Sequence, residues 1–305
     1  MIRILIVITL LLALAGCGDS GTSPTLTETA NGTVVTSSNG SAWSAPVTVV
    51  ANKELNGIAY GNNLFVAVGQ DGTIVTSPDG ATWTSQTSGS VNSLYGVIFA
   101  NGQFVAVGDA GTILTSPNGI VWTSQNNGAP AQITGVSFGN GRYVAVGASA
   151  ILTSPDGVNW TTQLYGPTRY FYSVVFGNGQ FVIASDSGGI MTSTDGVTWT
   201  GQKSGTANNL YGIAYGGGQF VAVGVNTILT SPDGVTWTAR SSATSGDLDG
   251  VIYANGQFVI VGNTIAINST GFILTSPDGV TWTSHASTSN LYGGAFGVGM
   301  FVLVG

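Results

Sequence analysis

Most residue types that carry chemistry are scarce in this chain. Its 305 residues include one cysteine, Cys17, and one histidine, His285, and only 6% are charged, with six Lys and Arg against thirteen Asp and Glu. A single cysteine excludes an intramolecular disulfide and a cluster of thiolate metal ligands. A single histidine leaves at most one chance for a Ser-His-Asp relay and none for a two-histidine zinc motif. Few basic residues and a formal charge of −7 argue against nucleic acid as a partner, because that binding rests on Lys and Arg neutralising phosphates. Glu28 and Glu54 are the only glutamates, and no P-loop pattern occurs. Apolar residues nowhere follow the helical period of 3.6, and beyond residue 16 no apolar run is long enough to span a bilayer as a helix. What abounds is glycine, with 47 residues, in a chain that is 43% hydrophobic.

The seven tryptophans set the organisation. Each closes a copy of one stretch, clearest at Thr275–Trp282, which reads T-S-P-D-G-V-T-W. The order Ser-Pro-Asp-Gly predicts a type I turn followed by a left-handed glycine, hence a three-residue hairpin with a bulge. On that reading Val280-Thr281-Trp282 leaves the turn as a strand. The copies end at Trp43, Trp83, Trp122, Trp160, Trp199, Trp237 and Trp282, with spacings of 40, 39, 38, 39, 38 and 45 residues. A period near 40 in strand-rich sequence marks a propeller or a solenoid. Two further motifs keep the rhythm: F-V-A-V-G, from Phe65–Gly69 to Phe301–Gly305, and before it G-I-A-Y, as at Gly57–Tyr60. One unit is therefore four short antiparallel strands, the blade of a β-propeller. The first copy keeps only its second half, Thr33–Trp43, and the last only its first half, Leu291–Gly305. Six whole units and two complementary halves predict an all-β, seven-bladed propeller over residues 33–305. Its last blade closes by pairing Phe301–Val304 with Gly32–Thr36, which removes both exposed edges.

Ahead of the repeats, residues 1–16 read as a targeting segment, with Arg3 followed by the apolar run Ile4–Leu14. Leu14-Ala15-Gly16-Cys17 resembles a bacterial lipobox, and the resemblance implies cleavage before Cys17 and lipidation of that residue. Two or three acyl chains, at about 0.8 kcal/mol per buried CH₂, would hold the protein on a membrane. Residues 17–32 then read as a Ser/Thr/Gly-rich flexible tether. The expectation is an exported, lipid-anchored protein of a bacterial cell envelope. Gly18 after the lipidated cysteine, in place of an Asp, points to the outer membrane in a Gram-negative host.

The S-P-D-G-V-T-W repeat resembles the Asp-box, or BNR, repeat, whose pattern is S-x-D-x-G-x-T-W and which occurs in sialidases and in photosystem II assembly factors. Here Asp and Gly are adjacent, one residue closer than in that pattern. The resemblance implies that Asp79, Asp156, Asp195, Asp233 and Asp278 are structural acceptors in turns and that the tryptophans pack into the blades. One carboxylate per tip falls short of the six to eight oxygens calcium takes, so neither metal nor cofactor is expected. A sialidase-type site needs an arginine cluster and a Tyr/Glu nucleophile pair. Beyond the leader only Arg142, Arg169 and Arg240 remain as arginines, and no R-I-P motif occurs. His285 falls at the end of an outer strand and reads as a solvated loop residue. No catalytic residue is assigned and a non-enzyme is expected.

Function is sought where the repeats differ. Immediately before the first strand's Gly, or its counterpart Ser173, stand Asn56, Tyr95, Thr134, Tyr172, Tyr211, Asp249 and Tyr292. The first strand of a blade lines the channel, so these residues should ring one mouth of it. Tyr95, Tyr172, Tyr211 and Tyr292 with Asp249 make an amphipathic rim suited to a glycan or an extended peptide. The plainer alternative is that the tyrosines fill the funnel. A second candidate is the Leu164–Phe171 insertion, whose Tyr165, Arg169 and Tyr170 are of types enriched at interface hot spots. A further insertion, Asn263–Gly271, lengthens the sixth unit. The combined expectation is a monomeric, lipid-anchored binding scaffold for an envelope protein. A carbohydrate-binding lectin is the alternative, and a sialidase-type glycoside hydrolase stands behind both.

Overall fold

The structure is a computed structural model that describes residues 31–125, 131–164, 169–242, 244–264 and 270–305. The targeting segment, Cys17, nearly all of the tether, and Tyr165 lie outside the described residues. Seven four-stranded antiparallel sheets are present, and the first strand of each packs against the first strands of its two neighbours in an unbroken ring. Blade 1 runs outward through Leu55–Gly61, Leu64–Gly69, Ile74–Ser77 and Thr84–Gln86. Blades 2 to 6 repeat this plan from first strands Leu94–Ala100, Ile133–Gly139, Phe171–Gly177, Leu210–Gly216 and Asp247–Ala254.

Blade 7 joins the two ends of the chain, as the complementary half-repeats required. Gly293–Gly297 and Met300–Val304 are followed outward by Gly32–Ser37 and Val47–Val50. The closing register pairs Val34 with Val304, Val35 with Leu303, Thr36 with Val302 and Ser37 with Phe301. The Thr33 N–H donates to the Gly305 carbonyl at 2.8 Å, and the Leu55 N–H reaches the same oxygen at 3.3 Å. Phe65, Val66, Ala67 and Val68 are all fully buried, as are their counterparts in the other blades. Each second strand is covered on both faces, which is why it reads as an unbroken apolar run rather than an alternating one.

Close approach at the axis limits side-chain size. A Cβ on Gly57 would lie 2.8 Å from the Tyr95 carbonyl oxygen, and one on Gly250 would lie 2.6 Å from that of Tyr292. The glycine that opens the G-I-A-Y stretch is therefore a packing requirement at Gly57 and Gly250, while blade 4 accommodates Ser173 at the same position.

The tip hairpins differ from the three-residue turn expected. Six residues, Pro78–Trp83, separate the strands of blade 1, and the outgoing strand begins after the tryptophan. The cause is the aspartate. Asp79 Oδ1 accepts from the Ala81 N–H at 2.9 Å and the Thr82 N–H at 2.8 Å, while Ser77 Oγ accepts from the Gly80 N–H at 2.8 Å. These bonds hold the loop open in the manner of a helix N-cap. The same bonds recur at Asp156, Asp195, Asp233 and Asp278, and Asn39 and Asn118 form them with an amide oxygen. In five tips the tryptophan folds back with its Nε1–H donating to the glycine carbonyl, as from Trp160 to Gly157 at 2.8 Å, while the Nε1–H groups of Trp43 and Trp282 are buried without a partner among the described residues. The tryptophan ring meets the aromatic of the second strand, with Tyr143 and Trp160 centroids 6.2 Å apart. Four tips also hydrogen-bond to the neighbouring blade. Gln103 donates to the Asp156 carbonyl, Gln180 to Asp233 and Gln219 to Asp278, each at 2.6 Å, and Gln257 to Asn39 at 2.9 Å.

Two predictions follow from this packing. Gly250→Ala is expected to lose about 1–3 kcal/mol of stability from overpacking. Gly201→Ala, with nothing within 4 Å of the added Cβ, should be close to neutral in the same urea titration. Equal midpoints for the two would refute the packing account. The second concerns acid. The Thr82 and Ala81 N–H groups hold Asp79 down to about 2, and the Thr198 and Val197 N–H groups do the same for Asp195. A depressed carboxylate stabilises the fold above its unfolded value of about 3.9, and that contribution disappears as pH falls through the folded value. Urea midpoints should therefore fall between pH about 4 and about 2. Asp79→Asn and Asp195→Asn together should flatten that slope while leaving the neutral-pH midpoint nearly unchanged, since Asn39 and Asn118 already make the same bonds.

Candidate functional site

One irregularity repeats around the inner ring and builds the site. The first strands shift register between Leu55 and Gly57, Leu94 and Gly96, Ile133 and Gly135, Phe171 and Ser173, Leu210 and Gly212, and Leu248 and Gly250. The residue inside each shift is Asn56, Tyr95, Thr134, Tyr172, Tyr211 or Asp249. The residue before it is a buried anchor, at 0% exposure for Leu55, Leu94, Ile133, Leu210 and Leu248. The residue after it is the small one that the axis demands. A bulge held between an immovable anchor and a tight packing point re-aims its own side chain, here toward the channel. Tyr292 holds the equivalent place in blade 7, between buried Leu291 and Gly293, with its N–H donating to the Val304 carbonyl at 2.8 Å.

All seven residues line one cavity of about 870 Å³. Below them lie the glycine layer and then Ile58, Val97, Val136, Val174 and Ile213. Tyr170, expected on an outward contact loop, also enters this cavity. Its strand bridge to Ala148 and its carbonyl bond from the Asp186 N–H, at 3.0 Å, turn it inward. The Tyr170 and Tyr172 ring centroids stand 4.9 Å apart, and Tyr172 meets Tyr211 edge-on at 5.1 Å. Burial pushes the Tyr170 and Tyr172 phenols up to about 12, so both stay neutral at physiological pH. Arg169 is exposed and does not line the cavity. The expected contact group is thus divided: Tyr170 joins the rim, Arg169 stays outside it, and Tyr165 lies outside the described residues.

Sequence reasoning missed the acidic wall. Glu54, Asp109 and Asp247 line the cavity together with Asp249, and among the described residues no Lys, Arg or His does. Asp109 accepts from the Tyr95 hydroxyl at 3.0 Å and from Gln132 Nε2 at 2.8 Å. Glu54 accepts from the Tyr292 hydroxyl at 3.3 Å and from Gln70 Nε2 at 2.9 Å. Asp249 accepts from Asn263 Nδ2 at 2.6 Å. Gln70, Asp109 and Asn263 share one repeat position, the residue after the second strand's closing glycine. The second strand returns that position beside the bulge, so the signal lay in the turn after F-V-A-V-G.

The remaining candidate chemistry is dispersed. His285 is in the strand Thr283–Ala286, not a solvated loop, and its Nε2 is 3.0 Å from Thr275 Oγ1. Gln86, Gln125, Gln202 and Arg240 make the same bond to Thr76, Thr115, Thr192 and Thr230. Burial lowers the His285 pKa, and its role is that of a strand cross-link. Arg240 sits in the outer strand Thr238–Arg240. Arg142 opens the second strand of blade 3, Arg142–Gly147. Among the described residues no group of three or more His, Cys, Asp or Glu could hold a metal ion.

Comparison with known proteins agrees with the architecture. Residues 20–131 match the family model described as the DUF6242 beta propeller domain. No curated protein matches the chain. Among solved structures, YCF48 from Cyanidioschyzon merolae is 15% identical with a TM-score of 0.62, covering 82% of this chain and 95% of its own. YCF48 bound to a D1 peptide is 17% identical with a TM-score of 0.58, covering 82% of this chain and 83% of that one. The WD40 β-propeller domain of Doa1 is 12% identical with a TM-score of 0.65, covering 83% and 93%. At these identities the likeness is one of fold.

Proposed function

We propose that this propeller is a non-enzymatic binding scaffold that holds an extended segment of a protein partner in its tyrosine-lined mouth. The observation that carries this reading is the bulge repeated in six blades, which, with the equivalent position of blade 7, delivers four tyrosines, Asn56, Thr134 and Asp249 into one cavity. Its volume falls within the range of about 300–1,000 Å³ common for ligand sites. The fold likeness to YCF48, one of whose structures holds a D1 peptide, offers a precedent for a peptide on such a propeller. The resemblance of residues 14–17 to a lipobox supports placing the scaffold on a membrane of the cell envelope through Cys17.

Purified full-length protein incubated with arrays of short random peptides and of glycans should retain a subset of the peptides. Tyr172→Ala and Tyr211→Ala should each weaken retention by about tenfold. Retention of glycans alone would replace the scaffold reading with a lectin, and retention of neither, or cleavage of sialosides by the same preparation, would overturn it. The anchor is tested separately. Protein expressed in a bacterial host should partition with membranes and carry acyl chains on Cys17 by mass spectrometry. Cys17→Ser should shift it to the soluble fraction, and unchanged partitioning would remove the lipid anchor from the proposal.

A further inference from the structure

We propose that the mouth selects peptide segments that present a lysine or arginine, seating the cationic side chain between the Tyr170–Tyr172–Tyr211 cluster and the carboxylates of Glu54, Asp109 and Asp249. This inference rests on the peptide-binding reading above and adds its specificity.

Two independent features of the cavity converge on a cation. The first is charge. Glu54, Asp109, Asp247 and Asp249 all line it, with no basic residue among the described lining residues. The donors on two of these acids are neutral: Gln70 and Tyr292 on Glu54, and Tyr95 and Gln132 on Asp109. Neutral donors fix the carboxylate geometry and leave its charge in place. Lys53, next to Glu54 in sequence, turns instead to Asp71 at 3.8 Å, where both side chains are well exposed. Like charges on the wall of a concave, partly desolvated site focus a negative potential into it.

The second feature is aromatic. Tyr170, Tyr172 and Tyr211 form one continuous cluster across blades 4 and 5, with centroid separations of 4.9 and 5.1 Å. Glu54 stands at blade 1, which faces blades 4 and 5 across a seven-membered ring, while Asp109 lies close enough to Tyr170 to help burial raise its phenol pKa. A long side chain laid over the tyrosines packs its methylene stem on apolar ring surface while its head points to the carboxylates. A cation within about 6 Å of a tyrosine face gains a further attraction. An acidic segment would meet like charge on the far wall, so the arrangement discriminates as well as attracts.

The test uses full-length protein and a matched set of acetylated, amidated Ala-Ser heptapeptides that differ only at the central residue: Arg, Lys, citrulline or Glu. Binding is read by NMR titration. The Arg and Lys peptides should bind about tenfold more tightly than the citrulline peptide, and the Glu peptide should be weakest. The advantage should shrink as salt rises from about 50 mM to about 500 mM. It should vanish in the Glu54→Gln/Asp109→Asn/Asp249→Asn variant, whose amide oxygens still accept hydrogen bonds. If that variant melts early, Glu54→Gln and Asp249→Asn singly should each lose part of the advantage with unchanged melting. Equal binding of all four peptides would overturn the cation selectivity while leaving the peptide site standing. Absence of binding by all four overturns the selectivity; the random-peptide array then decides whether the peptide site falls with it.

Discussion

The crowding of seven first strands around one axis governs the rest of the structure. At the level of Gly57, Gly96, Gly135, Gly212, Gly250 and Gly293 the backbones come so close that an added Cβ meets a neighbouring strand, as Gly250 does the Tyr292 carbonyl at 2.6 Å. Just outside this layer each chain must pass from a buried anchor to a residue with almost no side chain. The bulge between them takes up that step in six blades. The scaffold therefore leaves one position per blade whose side chain cannot serve the core, and these are the positions at which the repeats disagree. The packing constraint and the variable rim are two sides of one geometric fact.

The tips show a different division of labour. Each tip loop satisfies its own backbone through the serine and the Asp or Asn, and four of them, at Asn39, Asp156, Asp233 and Asp278, also offer a carbonyl to a glutamine of the preceding blade. The glycine at the tip must be left-handed, with φ of 78° at Gly157. It must also be small, because a Cβ there would lie 2.8 Å from Gln103 Nε2. The aspartate that carries the Asp-box resemblance is thus far from the mouth in role: it shapes a clasp between blades. The tryptophans serve the same clasp, closing over second-strand aromatics.

Much of the architecture was legible because repetition multiplies weak signals. One S-P-D-G turn is ambiguous; four of them and three close variants at near-constant spacing, with complementary half-units at the ends, leave little choice but a closed ring. The rim positions were legible for the same reason, since Asn56, Tyr95 and Asp249 stand out only against aligned copies. The hairpin class was misjudged because the Pro-Asp-Gly order suits a short turn, and nothing in the order shows that the carboxylate will accept two N–H groups and widen the loop. The bulge left no mark either, because a residue inside a bulge and one inside a regular strand read alike. The acidic wall was hidden for another reason. Asp109 lies 14 residues from Tyr95, and Glu54 lies 238 from Tyr292. Only the hairpin fold-back in one case, and closure of the ring in the other, makes them neighbours.

The place where the chain enters the ring carries a mechanical consequence. Thr33 and Leu55 both donate to the Gly305 carbonyl, so the N-terminal strand begins at the same end of the blades as the funnel opening. A pull transmitted from residues ahead of Gly32 acts on that end. The pull would also fall on the strand that zips blade 7 shut, so the load path of the molecule runs through its own seam.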